Sequence, residues 1–226
     1  MLRTLTQALH VVDVPFGVGG LKVGGRMTVI GLPDGGLWIH SPVRLDAATR
    51  AAVEGLGPVR FLVAPNLMHH LFLKDWVAAF PEARVVAGAE LRRKQPQLRI
   101  DVELTDTPDA GYAEVLSQQR VGGMPRLQEF AFLHRPSRTL LLTDLAFHIR
   151  ESPSWLTRMY LRLGGAYGRL APTLLVKSIV KDRSALRASI EAVLGWDFER
   201  VVMCHGEVLE HGGREALRSG FAWLWK

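Results

Sequence analysis

The sequence predicts a four-layer α/β/β/α sandwich, and three observations lead to it. Hairpin signals lie in both the early and the middle parts of the chain, which argues against a doubly wound, all-parallel sheet. Between them, residues 59 to 87 run strand, loop, helix, strand, the order of a layered α/β fold. After residue 144 the texture turns helical, so a β half, an alternating stretch and a second β-then-helix half follow one another.

The chain is long enough for this. It has 226 residues, 48% of them hydrophobic, and its mean hydropathy is +0.10. That supports one sizeable core and one domain over residues 1–226. A charged fraction of 22%, with 22 glycines and 12 prolines, points to neither disorder nor collagen. A single cysteine, Cys204, excludes an internal disulfide and any CxxC zinc or redox motif. The net charge of +6 permits an acidic partner without requiring one. The opening residues do not read as a signal peptide, because Thr4, Thr6, Gln7 and His10 interrupt the apolar ones. No run reaches the roughly 18 apolar residues of a membrane span, so a soluble, cytoplasmic protein is expected.

Taken in order, residues 10–14 alternate as a strand, and Gly17, Gly19 and Gly20 break it. Residues 26–32 and 36–41 form two apolar runs around Pro33-Asp34-Gly35-Gly36, a hairpin signal. Residues 45–56 predict a helix capped by Asp46 and ended by Gly57. A buried strand over 59–64 stops at Pro65-Asn66. A helix over 71–80, a strand over 83–87, a short basic helix over 89–95 and a strand over 101–104 follow. Residues 114–121 favour strand. Runs 128–134 and 139–144 flank Arg135-Pro136-Ser137-Arg138 as a second hairpin. Residues 150–195 read as largely helical, broken at Gly164-Gly165 and Pro172. A strand over 200–203 and a helix over 214–226 close the chain.

Three strand ends finish in metal-competent residues: Asn66, His69 and His70 after the first, Asp144 after the second and His205 after the third. Imidazoles plus a carboxylate, brought from separate strand ends, suit zinc, iron or manganese. Each feature has a plainer reading alone, as a capped helix start, a helix N-cap or a turn.

The segments Ala64 to His70, His134 to Asp144 and Cys204 to Gly206 resemble those of the metallo-β-lactamase-fold superfamily, in a branch with an altered metal-binding motif. The resemblance runs from the hairpin at residue 26 to His205. It implies the αββα sandwich and a metal site built on His-x-His-x-Asp-His. Aligned on the last histidine of that motif, His70 takes its place and His69 stands where the aspartate should be. The leading histidines fall on Pro65 and Leu67, which cannot bind metal, and the histidine expected near Met124 or Pro125 is missing. Asp144 matches the bridging aspartate and His205 the final histidine. The resemblance thus implies one surviving subsite, holding one divalent metal (zinc first, iron or manganese as alternatives) through His70, Asp144 and His205, with His69 as fourth ligand. Asp144 would also take part in the chemistry. With three protein ligands a position stays open for water; with four the site is closed.

Further residues have two readings each. Glu129 opens the strand that pairs with the one ending at Asp144, and is either a ligand or base or a solvated strand residue. His148 follows Asp144 by four positions. On a helix the two would share a face, making His148 a catalytic candidate; otherwise it is a surface residue. His134 beside the Pro136 turn reads as structural, and His40 as a residue at the site mouth.

Between residues 155 and 187, Arg158, Arg162, Arg169, Lys177, Lys181, Arg183 and Arg187 face a single acid, Asp182, with Trp155, Met159, Tyr160 and Tyr167 interleaved. The preferred reading is a helix covering a sheet with its apolar stripe inward. Peripheral contact with an anionic membrane is the second reading. No nucleic-acid recognition motif is present, and no such partner is expected. The expected function is single-metal hydrolysis of a small ester, thioester, amide or phosphoester. The rival is a non-catalytic member of the fold whose emptied site binds a ligand or protein.

Overall fold

The computed structural model describes all residues, Met1–Lys226. Its larger sheet has seven strands, β1 (Leu2–Thr6), β2 (Leu9–Val14), β5 (Gly25–Gly31), β6 (Leu37–His40), β7 (Val59–Ala64), β8 (Arg84–Ala87) and β9 (Val102–Glu103), in that spatial order. The smaller contains β10 (Leu116–Arg120), β11 (Phe130–His134), β12 (Thr139–Leu142) and β13 (Arg200–Met203). A ribbon of β3 (Gly17–Val18) and β4 (Leu21–Lys22) stands apart. The helices are α1 (Ala47–Glu54), α2 (Leu73–Ala79), α3 (Ala89–Lys94), α4 (Trp155–Leu163), α5 (Leu174–Ser178), α6 (Arg183–Leu194) and α7 (Gly213–Gly220), with a final 3₁₀ turn, Ala222–Trp225.

Strand alternation builds the four layers. In β6, Leu37 and Ile39 point to one face, where they meet Val53 of α1, Leu73 and Trp76 of α2 and Leu91 of α3. Trp38 points to the other, among Phe61 and Val63 of β7, Phe132 of β11, Leu141 of β12 and Val202 of β13. In the smaller sheet Leu140, Leu142, Val201 and Met203 turn outward onto Leu186, Ile190 and Val193 of α6 and Leu217 of α7. The period-2 pattern thus fills three apolar layers, and each fully buried large side chain contributes about 1.5–3 kcal/mol by leaving water.

The expected αββα sandwich is therefore present, with mixed sheets. β5 pairs antiparallel with β6 through the turn at Pro33 to Gly36, where Gly35 has φ 80°. β6, β7 and β8 are parallel, as are β12 and β13. Parallel neighbours bring their carboxyl ends to one edge, where functional loops collect in such sheets.

Several element readings need correcting. β1 was not foreseen; it pairs antiparallel with β2. Residues 145–154, which were needed as helix to bring His148 onto the Asp144 face, contain no helix, and α4 begins only at Trp155 behind the Ser154 cap. The closing helix ends at Gly220, whose position lies against the Leu170 carbonyl. The apolar stripe of α4 faces outward: Trp155, Met159 and Leu163 are exposed, whereas Thr157 and Leu161 are buried. No helix is long and apolar enough to cross a membrane.

Candidate metal centre

Beyond β7 the chain cannot continue as strand, because Pro65 has no N–H to give the ladder. Its carbonyl instead accepts from Phe130 N at 2.9 Å, and Leu67 N donates to the Leu127 carbonyl at 3.0 Å. These bonds tie the loop to the second sheet. Asn66 then closes a tight turn, its Oδ1 accepting from Met68 N and His69 N, each at 2.8 Å. That turn sets the direction of His69.

Asp144 stands two residues past β12, opposite this loop. Its Oδ2 lies 3.2 Å from His69 Nε2 and accepts from Asn66 Nδ2 at 2.9 Å. Its Oδ1 lies 3.1 Å from Nε2 of His205, just past β13. The potential ligand atoms of His69, Asp144 and His205 all lie within 4.8 Å of one another. Both imidazoles are anchored at their far nitrogens, His69 Nδ1 to Ser41 Oγ at 2.5 Å and His205 Nδ1 to the Gly24 carbonyl at 2.7 Å. Phe147 stacks on the His205 ring at 4.5 Å.

The donor set fits a cation. A backbone carbonyl can only accept, so His205 Nδ1 carries the proton, and in the neutral ring Nε2 turns a lone pair toward Asp144 Oδ1. A divalent ion between them satisfies both, and fixing the outer nitrogen is how metal-binding histidines are commonly oriented. Without an ion, protons must do the same work. Burial disfavours charge on His69, but Asp144, with Cys204 also beside the ring, outweighs it and holds the pKa well above the ordinary value. Burial likewise disfavours the Asp144 carboxylate, yet the two imidazoles hold its pKa far below the usual range.

Beneath Asp144 lies Glu129, fully buried rather than solvated. Its Oε1 accepts from Thr143 N at 2.7 Å, and its Oε2 from Asp144 N at 2.8 Å and Leu145 N at 2.9 Å. Glu129 thus shapes the loop that carries Asp144 and is outside the converging group. Burial, then the Asp144 charge, pushes its pKa up to about 7.

The other candidates are placed as follows. His70 is outside the group; burial, then Lys94, lowers its pKa. His148 braces the segment after His205: its N donates to the His205 carbonyl at 3.1 Å and its Nδ1 meets the Glu207 carbonyl at 2.9 Å. His134 bonds Ser137 Oγ within its turn at 2.6 Å, the structural role expected of it. His40 does not line the mouth. It is buried between the sheets, stacked on Trp38 at 5.5 Å, with neither ring nitrogen partnered. Sequence reasoning missed Ser41 altogether. Its only advance signal is a short polar residue at the end of β6, where it takes φ 55°.

An open cleft of about 980 Å³ passes Gly24, Cys204 and Gly206, the immediate neighbours of His205, without reaching the ligating atoms. Phe16, Lys22, Arg26, Glu151, Glu207 and Glu210 are among the residues that line it.

Two packed mixed sheets, helices outside them and polar residues gathered at the strand ends define the metallo-β-lactamase fold, and this chain has it. A metallo-β-lactamase from Pontibacter korlensis superposes with TM-score 0.70 at 13% identity, covering 100% of this chain and 99% of that one. The FIM-1 metallo-β-lactamase of Pseudomonas aeruginosa, in its mono-zinc form, gives 0.68 at 13% identity, with 99% and 95% covered. The Flv1 flavodiiron core from Synechocystis gives 0.69 at 10% identity, with 100% of this chain and 60% of that one covered. Residues 7–90 match a family model described as a domain of unknown function, DUF4336. No curated protein matches the chain in sequence.

Proposed function

We propose that the protein is a single-metal hydrolase whose ion is held by His69, Asp144 and His205, and which cleaves a small ester, thioester, amide or phosphoester. The observation that carries this reading is the aim of two anchored imidazoles at the two oxygens of one carboxylate. Two imidazoles and one carboxylate suit zinc, and equally iron(II) with open positions. Held there, an ion would supply Lewis acidity toward a substrate carbonyl or phosphoryl oxygen. The chain's own part is orientation: Ser41 and the Gly24 carbonyl fix the imidazoles, while Asn66 and Glu129 fix the carboxylate and its loop. Asp144 keeps partial access to solvent, with a side-chain exposure of 16%, so substrate can approach from its side. A cytoplasmic setting accords with a lone, unpaired cysteine.

The second reading, a non-catalytic binding protein, is favoured by Pro65 and Leu67, which stand where the resemblance expects two further histidines. Metal content of the untagged protein separates the two, followed by hydrolysis assays on ester and phosphodiester substrates. About one equivalent of zinc, iron or manganese is expected, lost in His69→Ala and kept in His70→Ala. A protein that stays metal-free after reconstitution overturns the hydrolase reading. Metal lost with His70 and kept without His69 overturns the ligand assignment.

A further inference from the structure

In α4, Trp155, Met159 and Leu163 recur at intervals of four, so they lie along one helix face. That face points to water: Trp155 is 65% exposed and Leu163 72%, while Thr157 and Leu161 on the opposite face are buried. The next helix extends the patch. Leu175 N, in α5, donates to the Tyr160 hydroxyl at 3.0 Å, and Leu174 packs against Gly164, which follows Leu163 directly. Leu174 and Leu175 are themselves exposed, Leu175 by 64%. Scattered exposed apolar residues need no explanation, but a contiguous stripe on two adjoining helices does.

The charges around the stripe choose its partner. From Ser154 to Lys181 the chain carries Arg158, Arg162, Arg169, Lys177 and Lys181 and not one Asp or Glu. Arg158 and Arg162 stand on the α4 flank next to the stripe, given 100° per residue. Arg158 reaches the Ser152 carbonyl and Arg162 lies over the Tyr167 ring at 4.8 Å. Lys177 donates to the Gly164 carbonyl at 2.8 Å. An apolar ridge on two helices that carry cations and no acid of their own is complementary to a surface that offers acyl chains beneath anionic headgroups.

We infer that the α4–α5 face is a docking surface for an anionic lipid bilayer, which it meets in the interface plane without crossing the membrane. This inference does not depend on the metal centre. The β3–β4 ribbon, joined to α4 through Lys22 N and Thr157 Oγ1 at 2.9 Å, forms one wall of the large cleft. Because Thr157 lies on the face of α4 opposite the stripe, that cleft lies behind the helix that docks.

The test is flotation of the full chain with phosphatidylcholine vesicles, with and without phosphatidylserine, at low and high salt. Partition is expected to be at least roughly tenfold stronger with phosphatidylserine and to weaken with salt. Arg158→Gln and Arg162→Gln should each cost about fivefold. The exposed-face variant Trp155→Ser/Met159→Ser/Leu163→Ser should lose most binding, with Leu175→Ser weakening it independently. Unchanged circular dichroism and an unchanged thermal midpoint show that the variants remain folded. No preference for phosphatidylserine at low salt, or full binding by the triple variant, overturns the inference. A concentration-dependent dimer that the triple variant abolishes also overturns it, assigning the face to a second copy of the chain.

Discussion

Asp144 owes its position to two polar side chains outside the converging group. Asn66 spans the gap, accepting from His69 N through its oxygen and donating to Asp144 through its nitrogen. Glu129 collects three successive backbone N–H groups of the Asp144 loop. Glu129→Gln keeps the shape but turns an NH₂ group toward those donors. It should cost about 1–3 kcal/mol in urea unfolding and weaken metal retention; a variant of wild-type stability would deny Glu129 this role. His40 acts at the same scale. Burial, then the nearby His69, pulls its pKa down to about 3. Below an unfolded value near 6.5 the unfolded chain takes up this proton and the folded one does not. The neutral ring's contribution is therefore complete above pH 6.5 and lost as pH falls toward 3, at about 1.4 kcal/mol per pH unit. In His40→Phe that slope disappears, so the stability difference between wild type and variant should shift in the variant's favour from pH 7 to pH 5. A constant difference across that range would refute it. The sequence made His69, Asp144 and His205 legible because ligand-type residues follow apolar strands. It could not rank His69 above His70, since a one-residue choice of direction depends on the Asn66 turn and the Ser41 hydroxyl, which folding brings from another strand.

At the scale of elements, the segment after β13 shows how closely the site is fitted to its neighbours. Gly206 has φ 97°, and a Cβ placed there would stand 2.1 Å from the His148 carbonyl oxygen. Gly206→Ala therefore combines an unfavourable backbone conformation with a clash against the residue that bonds both His205 and Glu207. A loss of roughly 2–4 kcal/mol in thermal or urea unfolding is expected, with reduced metal content because His205 shifts as well. Wild-type stability would show that the two segments are free to move apart. Most elements were readable because hairpin turns, caps and apolar runs are local: Asp46 caps α1 as expected, accepting from Thr49 N at 2.7 Å. The stretch 145–154 was not. Its apolar residues match a helix locally, but Phe147 pairs with Ala171 and His148 with Gly206 as isolated bridges, partners remote in sequence. The outward stripe of α4 was hidden for a related reason, since helical spacing shows that one face is apolar and says nothing of which way it points.

Across the whole molecule, the three converging residues join parts that apolar packing and the hydrogen bonds of the Pro65–Leu67 loop already hold together. His69 follows a strand of the seven-stranded sheet, whereas Asp144 and His205 follow neighbouring strands of the four-stranded one. Arg26 adds a permanent link, its Nη1 donating from β5 to the Met203 carbonyl of β13 at 2.9 Å. An ion at the centre would add a further link, one that exists only in the folded state, because unfolding separates residues 61 and more apart in sequence. At an ion concentration 100 times the dissociation constant this is worth about 2.7 kcal/mol, which for a chain of this size raises Tm by roughly 5–10 °C. The effect must also depend on pH. His69 holds its proton well above the ordinary value in the ion-free protein, and binding has to displace it. Metal uptake at neutral pH should therefore release close to one proton, seen as a dependence of the calorimetric heat on buffer ionisation enthalpy. The rise in Tm should grow as pH increases from 6 toward 8 and should be absent in His69→Ala. A metal-induced rise that is equal at both pH values, or that survives in His69→Ala, would mean that the ion binds elsewhere and that the two sheets are not bridged through this histidine.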